Sequence, residues 1–578
     1  MTTSNPPGGL PAGDLAGDLA GDLAGDLAGD LAGTIARLAG ELFTRGPGWT
    51  PSPPSPVQSQ AFPSLTPPPA SAPPPTEADL RTLPVTVSNA IGAPVPLSLL
   101  DFSPDAAGTP AQLRPYFLGL AGHPRTPEAS VPATPNAPAL STPAPAVSEI
   151  VYAREFQPEL VPELPSSKGG IFDPFTIKRD FPILSERVHG RRLVWLDNAA
   201  TTQKPRAVID RLSYFYEHEN SNIHRAAHEL AARATDAYES ARAKVQRFLN
   251  APSPENIVFV RGTTEAINLV AQSWGRRNVS AGDEIVISWL EHHANIVPWQ
   301  QLTAETGARL RVAPVDDDGQ VILEEFEKLL GPRTRLVSVS QVSNALGTIV
   351  PVAAMIEIAH RYGARVLVDG AQAVSHLPVD VQALDCDFYV FSGHKIFGPT
   401  GIGALYGKRE VLEQMPPWQG GGNMIRDVRF EKTSYQPPPA RFEAGTGNIA
   451  DAVGLGAALD YVSALGREAI DAYEHDLLSY ATDALARVPG LRLIGTAPEK
   501  TGVLSFVLAG TRTEDVGHAL DQEGIAVRSG HHCAQPILRR FGLESTVRAS
   551  LAPYNTREDI DALVTALLRI QSGRPAGV

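Results

Sequence analysis

The chain contains 578 residues, which is enough for two or three domains. Its 49 Lys and Arg residues against 63 Asp and Glu residues give a net charge of −14, which argues against a nucleic-acid partner held by bulk charge. Neither a membrane span nor a secretory signal is predicted, and the presence of only two cysteines favours a reducing cytoplasm over a disulfide framework.

The first 165 residues differ in composition from the rest, because they hold 31 of the 52 prolines. Such a stretch buries too little apolar surface to offset the entropy of ordering, so we predict a disordered extension over residues 1–165. Within it, residues 13–32 repeat Gly-Asp-Leu-Ala five times, and apolar islands lie at residues 31–43, 95–102 and 116–120. Two interpretations stay open: a solvated spacer, or a tail whose islands dock on a partner protein.

From about residue 170 the chain alternates strand-like and helix-like segments. Short apolar runs predict buried strands at 257–260, 283–288, 336–340, 365–369 and 388–392, with helical stretches such as 352–362 between them. This order predicts an α/β fold with a mostly parallel sheet that is covered on both faces. Ligands of such sheets bind beyond the carboxyl ends of the strands, where reactive residues are therefore expected.

Two reactive residues stand at the ends of successive predicted strands. Lys395 follows strand 388–392, and Asp369 ends strand 365–369. A lysine can form a Schiff base with pyridoxal phosphate (PLP), whose pyridine nitrogen needs a carboxylate partner. Each residue alone has an ordinary interpretation, a surface lysine and a helix-capping aspartate. The pair is more specific and predicts a PLP site.

Two further segments suit a cofactor. The segment Gly262-Thr-Thr-Glu265 follows a strand and opens a predicted helix, so it forms either a phosphate cradle or only a capping box. His292 follows strand 283–288, where an imidazole can stack on a cofactor ring and exchange protons. The neighbouring His293 competes for that role.

Cys533 lies in the run Arg528-Ser-Gly-His-His-Cys-Ala, whose two histidines and arginine favour a reactive thiolate. Zinc binding by the His-His-Cys run is the alternative, but adjacent residues of one short loop rarely bind one ion, so no metal is expected. Cys386 precedes a buried strand and is expected to pack in the core. Arg548 is the candidate guanidinium for a substrate carboxylate, with a surface salt bridge as its ordinary alternative.

Eight sequence blocks occur in order between residues 170 and 575 and carry a family resemblance. They are RGTTEAINLVAQSWG, EHHANIVPWQ, VSNALGTIVP, VLVDGAQAV, DCDFYVFSGHKIFGPTGIGALY, RFEAGTGN, VRSGHHCAQP and VRASLAPYN. Together they resemble the group II, SUF-type cysteine desulfurases, which are fold-type I PLP-dependent transferases similar to class V aminotransferases. The resemblance implies a large PLP-binding domain over residues 196–445. It also implies a smaller α/β domain over residues 446–578 that carries the cysteine loop, with residues 166–195 packing against it.

The resemblance also implies a role for each candidate site residue. Lys395 forms the Schiff base, Asp369 pairs with the pyridine nitrogen, Gln372 hydrogen-bonds the phenolic oxygen and His292 stacks on the ring. The phosphate is held by Thr264, Ser392 and His394, together with Thr446 of the partner subunit, which implies a homodimer with shared sites. The substrate residues are Asn344 and Arg548 at the carboxylate, Arg528 near the cysteine loop, and His224 and Arg225 at the entrance.

The chain departs from the family pattern at two positions. Ala226 stands where glycine usually follows the His-Arg pair, and Gly447 stands where proline usually follows the threonine of the EAGT block. Neither change removes a reactive group. Gly447 adds backbone freedom beside Thr446, at the implied subunit contact.

The implied activity is that of a PLP-dependent sulfurtransferase. It converts L-cysteine to L-alanine and leaves the sulfur as a persulfide on Cys533, for delivery to a sulfur-acceptor protein in iron–sulfur cluster assembly or sulfur mobilisation. Selenocysteine lyase chemistry on the same fold and a non-catalytic cargo or scaffold role are the alternatives. The long extension resembles that of desulfurase cargo in family 2 encapsulin nanocompartments, so residues 1–165 are expected to bind an encapsulin shell protein.

Overall fold

A computed structural model describes residues 172–224 and 228–573 of the chain. Contacts along the chain group these residues into one unit, Ala144–Val578. The predicted extension, its apolar islands and Arg225 lie outside the described residues.

The strands are short and are numbered here along the chain. They are β1 Arg187–Val188, β2 Arg191–Arg192, β3 Val194–Trp195, β4 Ile257–Val260, β5 Glu284–Ser288, β6 Arg309–Ala313, β7 Thr334–Ser340, β8 Arg365–Asp369, β9 Phe388–Ser392, β10 Gly403–Gly407, β11 Ile425–Val428, β12 Thr433–Tyr435, β13 Leu491–Ile494, β14 Val503–Leu508, β15 Ile525–Ala526, β16 Arg528–Gly530 and β17 Thr546–Ser550.

Helices connect most of these strands. The α-helices are Pro174–Arg179, Arg206–His218, Glu229–Phe248, Thr263–Val270, Arg276–Asn278, Val297–Thr306, Leu323–Lys328, Val352–Arg361, Val381–Leu384, Arg409–Gln414, Ile449–Leu465, Arg467–Ala486, Thr513–Gln522, Gln535–Arg540 and Arg557–Gln571. A π-helical turn spans Ala271–Gly275, and 3₁₀ turns span Pro182–Ser185, Pro254–Asn256, His293–Asn295, Gly393–Lys395 and Ala440–Phe442.

The main sheet has seven strands in the order β4-β10-β9-β8-β7-β5-β6. All pairings from β9 through β6 are parallel, whereas β10 runs antiparallel to both of its neighbours. The predicted mostly parallel α/β sheet is therefore confirmed. The sequence-based prediction omitted β6, an edge strand with alternating arginines, and β10, whose terminal glycines are unfavourable in strands.

Alternating side chains of the central strands enter two separate apolar clusters, one on each face of the sheet. On β8, for example, Val366 and Val368 join one cluster and Leu367 joins the other. Helix Val352–Arg361 covers the first face and helix Thr263–Val270 covers the second. Because both faces are buried, the polar ends of the strands are the sheet's contact with solvent and ligands.

A second sheet follows in the C-terminal part of the chain. Its four antiparallel strands have the order β13-β14-β17-β16. The N-terminal segment packs against this region, since β3 pairs in parallel with β15 and Lys178 forms a buried ion pair with Asp559 at 2.7 Å. These contacts bring the residues just after β3 beside the end of β17.

No single helix among the described residues is long and apolar enough to cross a membrane. The consecutive helices Ile449–Leu465 and Arg467–Ala486 together meet that criterion by length and composition, with a bend of 73° between them. The first of the two is largely buried within the protein, where it packs against helices Arg206–His218 and Glu229–Phe248.

Candidate active site

Lys395 ends a single 3₁₀ turn that follows β9. Two threonines hold this turn, because the Thr202 N–H and the Thr201 hydroxyl each donate a hydrogen bond to the His394 carbonyl at 3.0 Å. On the other side, the Phe397 N–H donates to Thr202 Oγ1 at 2.7 Å. Hydrogen bonds on both sides of Lys395 therefore fix the backbone from which its side chain projects.

Asp369 ends β8, the strand next to β9, and is 5% exposed. Burial raises the pKa of the Asp369 carboxyl, and the nearby charge of Lys395 opposes that rise. Burial lowers the pKa of Lys395 to about 8, and Asp369 opposes that fall. At a pKa of about 8, roughly a tenth of the Lys395 side chains carry a free amine at pH 7. The pair thus combines a buried carboxylate with an amine that is available as a nucleophile or base.

Two histidines near Lys395 are neutral at physiological pH. Burial, then the charge of Lys395, lowers the pKa of His292 to about 3 and that of His394 to about 4. His292 Nδ1 accepts a hydrogen bond from the Ala294 N–H at 3.0 Å, so its neutral ring carries the proton on Nε2. His292 can therefore donate a hydrogen bond from Nε2, but it is a weak base.

Gln372 lies in the turn after β8 and is 3% exposed. Its Nε2 is 3.4 Å from His376 Nε2, and its Oε1 is buried without a hydrogen-bond partner in the described part of the chain. A buried polar atom without a partner costs free energy, so a ligand that satisfies it at this position is favoured.

The predicted phosphate cradle lies where helix Thr263–Val270 begins beside Ser392. The Thr263 N–H donates to Ser392 Oγ at 2.9 Å, and the Ser392 hydroxyl donates to Thr263 Oγ1 at 3.1 Å. Gly262 caps the helix at φ +155°, and a Cβ there would lie 3.0 Å from Ser392 Oγ. Thr263 is buried, whereas the predicted phosphate ligand Thr264 is exposed. The close packing leaves helix N–H groups and hydroxyls together, as an anion site requires.

Arg548 on β17 is opposite Arg528 on β16, and both bind Asp197. Arg528 donates to Asp197 Oδ2 from Nη2 at 2.9 Å and from Nε at 3.1 Å. Arg548 donates from Nη2 to the other oxygen, Asp197 Oδ1, at 3.3 Å. Arg548 is 2% exposed, and its Nε has no partner within the described ranges. Burial lowers the pKa of Arg548 to about 10, so it stays charged. One N–H of a buried guanidinium is therefore available to an anionic group.

Cys533 is exposed and follows His532, and both residues have left-handed backbones with φ values of +54° and +53°. Hydrogen bonds hold this unfavourable conformation: the Cys533 N–H donates to His531 Nδ1 at 3.0 Å, and its carbonyl accepts from the His293 N–H at 2.8 Å. The Asn344 amide donates to the His532 carbonyl at 2.7 Å, while Asn344 Oδ1 is buried without a partner in the described residues. The loop thus presents its thiol from a fixed backbone.

Cys533 and Lys395 belong to one site. The negative charge of a Cys533 thiolate raises the pKa values of Lys395 and Arg548, and the positive charge of Lys395 lowers those of Asp369 and His292. Cys386, in contrast, is completely buried in the core, as predicted. Among the described residues, no group of three or more His, Cys, Asp and Glu side chains is arranged to hold a metal ion.

His224 has a left-handed backbone and belongs to a separate ion-pair network. Its Nε2 lies 3.0 Å from Glu239 Oε1, and Glu239 Oε2 accepts from Arg242 Nε at 2.9 Å. Buried Arg242 also binds Glu443 at 2.7 Å. Thr446, three residues beyond Glu443, is exposed. The network therefore links the predicted entrance residue to the turn that contains Thr446.

Several residues of the site escaped the sequence-based prediction. Asp197, His376 and Glu474 all have ordinary local sequence environments, although Asp197 directly follows the apolar run Val194–Trp195–Leu196. Asp197 and Glu474 reach the site from segments far away in sequence. A single sequence contains no local signal for such contacts.

The arrangement around Lys395 fits PLP by chemistry. An amine suits its aldehyde carbon, a buried carboxylate at Asp369 suits its pyridine nitrogen, and the helix N-terminus with Ser392 suits its phosphate. The Gln372 amide can donate to its phenolic oxygen once its N–H groups face that side, because Oε1, the atom without a partner in the described residues, only accepts hydrogen bonds.

The family profile of class-V aminotransferases (Aminotransferase class-V) matches residues 194–563. A cysteine desulfurase from Synechococcus elongatus is 72% identical over 408 residues, which cover 70% of this chain and 65% of that protein. A cysteine desulfurase from Dickeya dadantii is 58% identical over 395 residues, which cover 68% of this chain and 96% of that protein.

Among solved structures, the cysteine desulfurase CsdA from Escherichia coli, in an S-sulfonic acid form, has a TM-score of 0.66 and 43% identity. The match covers 70% of this chain and all of CsdA. The matched part of this chain spans 65%, 59% and 66% of the length of the first three curated relatives. The extent of the profile match and the nearly complete coverage of the Dickeya protein decide the family. The chain belongs to the aminotransferase class-V family, in which the relatives named here are cysteine desulfurases.

Proposed function

We propose that this protein is a cysteine desulfurase that converts L-cysteine to L-alanine and collects the sulfur on Cys533. The observation that supports this most strongly is the exposed Cys533 thiol on a loop that is hydrogen-bonded to His293 and to Asn344, whose carbonyl also binds Arg548. Besides PLP, the reaction needs an amine, a cation that binds the substrate carboxylate and a sulfur nucleophile. Lys395, Arg548 and Cys533 supply these three groups.

Lys395, Asp369, Gln372 and Ser392 would hold PLP, with the N-terminus of helix Thr263–Val270 at its phosphate. When bound, PLP supplies an electron sink for negative charge at the substrate Cα. His394, also named for the phosphate, is neutral and can contribute a hydrogen bond but no positive charge.

Lys395 is the better base of the two groups named for proton transfer. Its Nζ, with a pKa of about 8, can accept the substrate Cα proton, whereas His292 has a pKa of about 3 and remains unprotonated at neutral pH. His292 instead acts as a neutral ring that donates a hydrogen bond from Nε2 and covers the cofactor.

Arg548 would bind the substrate carboxylate through its unpartnered Nε. Asp197 keeps the guanidinium in place by binding its Nη2, and the Asn344 carbonyl binds Nη1 at 2.9 Å. Asn344, whose amide nitrogen already supports the cysteine loop, would act mainly by linking that loop to the substrate site.

The sulfur step would take place at Cys533. Its thiolate attacks the substrate sulfur, so an S–S bond forms and the substrate Cβ–S bond breaks with its electron pair on carbon. That carbon takes up a proton and leaves as alanine, while Cys533 keeps the persulfide.

Finer features of the proposal rest on the sequence resemblance. We place the chain among group II, SUF-type enzymes that act as homodimers, with Thr446 of the partner subunit at the phosphate and His224 and Arg225 at the entrance. The persulfide would pass to a sulfur-acceptor protein in the cytoplasm, and residues 1–165 would bind an encapsulin shell protein. Arg528 supports this scheme indirectly, because it shares Asp197 with Arg548.

The test of the activity uses purified full-length protein loaded with PLP. We expect a yellow absorbance band that sodium borohydride abolishes, and equimolar alanine and sulfide from L-cysteine in the presence of a thiol reductant. Lys395→Ala should lose both the borohydride-sensitive band and turnover. A wild-type protein that stays colourless after incubation with PLP would contradict the proposal.

A further inference from the structure

Gln372 ends a buried chain of polar side chains whose other members, His376 and Glu474, have no role in the reaction outlined above. His376 Nδ1 lies 2.6 Å from Glu474 Oε2, and His376 Nε2 lies 3.4 Å from Gln372 Nε2. The three side chains are 3–5% exposed. Gln372 and His376 belong to the turn after β8, whereas Glu474 comes from helix Arg467–Ala486. Tertiary packing therefore brings the Glu474 carboxylate behind His376, the histidine that contacts Gln372.

The contact with Glu474 favours a charged His376. Burial lowers the pKa of His376, but the attraction of Glu474 and its hydrogen bond outweigh burial, so the net shift is upward. Asp471 adds to this attraction, and the charge of Lys395 opposes it. The groups near Glu474 also include Tyr473 and Tyr554, whose own pKa values are raised. An imidazolium donates from both nitrogens, so His376 Nε2–H is a donor toward Gln372.

The amide of Gln372 has one orientation that satisfies this donor. With Nε2 toward His376, two donors face each other and Oε1 stays buried without a partner in the described structure. Because amide oxygen and nitrogen are nearly equal in size, a half-turn of the amide exchanges them without moving any neighbour. Oε1 then accepts a charge-assisted hydrogen bond from His376, and the amide N–H groups replace Oε1 on the opposite side.

We propose that His376 and Glu474 are positioning residues that lock the Gln372 amide with its N–H groups toward the phenolic oxygen of bound PLP. This inference rests on the proposed function, since it gives Gln372 a cofactor to bind. Glu474 keeps His376 charged, His376 orients the amide, and the amide stabilises negative charge on the phenolic oxygen. Without Glu474 a neutral His376 would accept a hydrogen bond at Nε2, and the amide would turn its oxygen toward the cofactor.

The test follows the absorbance of PLP-loaded protein as a function of pH. A donor at the phenolic oxygen lowers the pH midpoint of the cofactor's spectral transition, because it stabilises the form with the proton removed. Glu474→Gln keeps the shape of the side chain and removes its charge, so we expect the midpoint to rise by about one pH unit. Gln372→Ala should raise it by a similar amount.

The double variant Gln372→Ala/Glu474→Gln distinguishes positioning from a general structural role. If Glu474 acts through Gln372, the double variant should have the midpoint of Gln372→Ala alone. An unchanged midpoint in Glu474→Gln, or shifts that add in the double variant, would overturn the inference. If Glu474→Gln does not fold, His376→Gln makes the same comparison, with thermal unfolding as the check on folding.

The two proposals can fail separately. Protein that forms the yellow band and releases alanine, yet has a pH midpoint that Glu474→Gln does not shift, would overturn only the positioning role. Protein that never forms the band would overturn the desulfurase proposal together with this inference.

Discussion

Burial lowers the pKa values of both Lys395 and His292, yet the two side chains differ in protonation near neutral pH. It lowers the pKa of Lys395 to about 8, within reach of neutral pH, and that of His292 to about 3, far below it. The amine therefore exchanges protons in the physiological range, whereas the imidazole keeps one protonation state throughout. Burial lowers both pKa values, and the division arises mainly because the ordinary pKa is 10.5 for the lysine and 6.5 for the histidine.

The two cysteines provide the residue-scale prediction. Cys533→Ala should retain the yellow cofactor band but lose alanine and sulfide release by at least about a hundredfold, since the nucleophile is gone. Cys386→Ala is the matched control, because its side chain is fully buried in the core and it should keep its turnover per folded molecule. Product release is measured with L-cysteine under reducing conditions.

The same variants separate the rival activities. Loss of activity in Cys386→Ala with retention in Cys533→Ala would mean that the nucleophile is misassigned. Activity of Cys533→Ala that persists with L-selenocysteine, at a level that exceeds the wild-type rate with L-cysteine, would favour selenocysteine lyase chemistry.

Strand β10 shows how one element shapes the site. It runs antiparallel between β9 and β4 and pairs Gly403 with both Ser392 and Val260. A Cβ on Gly403 would lie 2.4 Å from the Phe391 carbonyl and 2.7 Å from Gly262 Cα. Glycine is therefore required here because β9 and the Gly262 turn after β4, which carry the phosphate cradle, both lie close to this position of β10.

Gly403→Ala is the element-scale prediction. The added methyl group must push β9 or the Gly262 turn aside, so we expect a loss of about 1–3 kcal/mol in the free energy of unfolding and weaker retention of PLP. Gly331→Ala is the control, because a Cβ there meets nothing within 4 Å. Urea unfolding and dialysis of the loaded proteins measure the two effects. Equal stability and equal PLP retention in the two variants would contradict this role for β10.

At the scale of the whole molecule, we expect the extension and the enzyme to have separable roles. The described residues contain every residue of the proposed cofactor site, so a chain that begins at residue 166 should turn over L-cysteine within about twofold of the full-length rate. If the apolar islands are anchors, the truncated enzyme should no longer co-purify with a co-expressed shell protein. Size-exclusion chromatography and gels of the large particle measure the loading.

Removal of single islands refines this prediction. Several weak anchors on one chain bind by avidity, so deletion of residues 31–43, 95–102 or 116–120 alone should reduce loading only in part, and deletion of all three should abolish it. Equal loading of the full-length and truncated enzymes would leave residues 1–165 as a spacer.

Sequence patterns were sufficient where the signal was local. The predicted strands at 257–260, 365–369 and 388–392 match β4, β8 and β9. A short apolar run bounded by turn residues is typical of a buried strand and is too short for most helices. The predicted β5 and β7 differ from the observed strands by one and two residues at their starts. Strand β6 was missed because arginines alternate with apolar residues at this sheet edge. Strand β10 was missed because it begins with Gly403, which close packing requires but which is untypical of strands.

The sequence by itself determined the α/β class, the parallel order of the central sheet and the presence of Lys395 and Asp369 at neighbouring strand ends, because strand order along the chain and strand ends are local features. Only the tertiary structure decided which distant groups complete the site. Asp197 holds Arg548 across 351 residues of chain, and Glu474 reaches His376 across 98. Burial, which determines the pKa values of Lys395 and His292, likewise exists only after the sheet and its covering helices have packed.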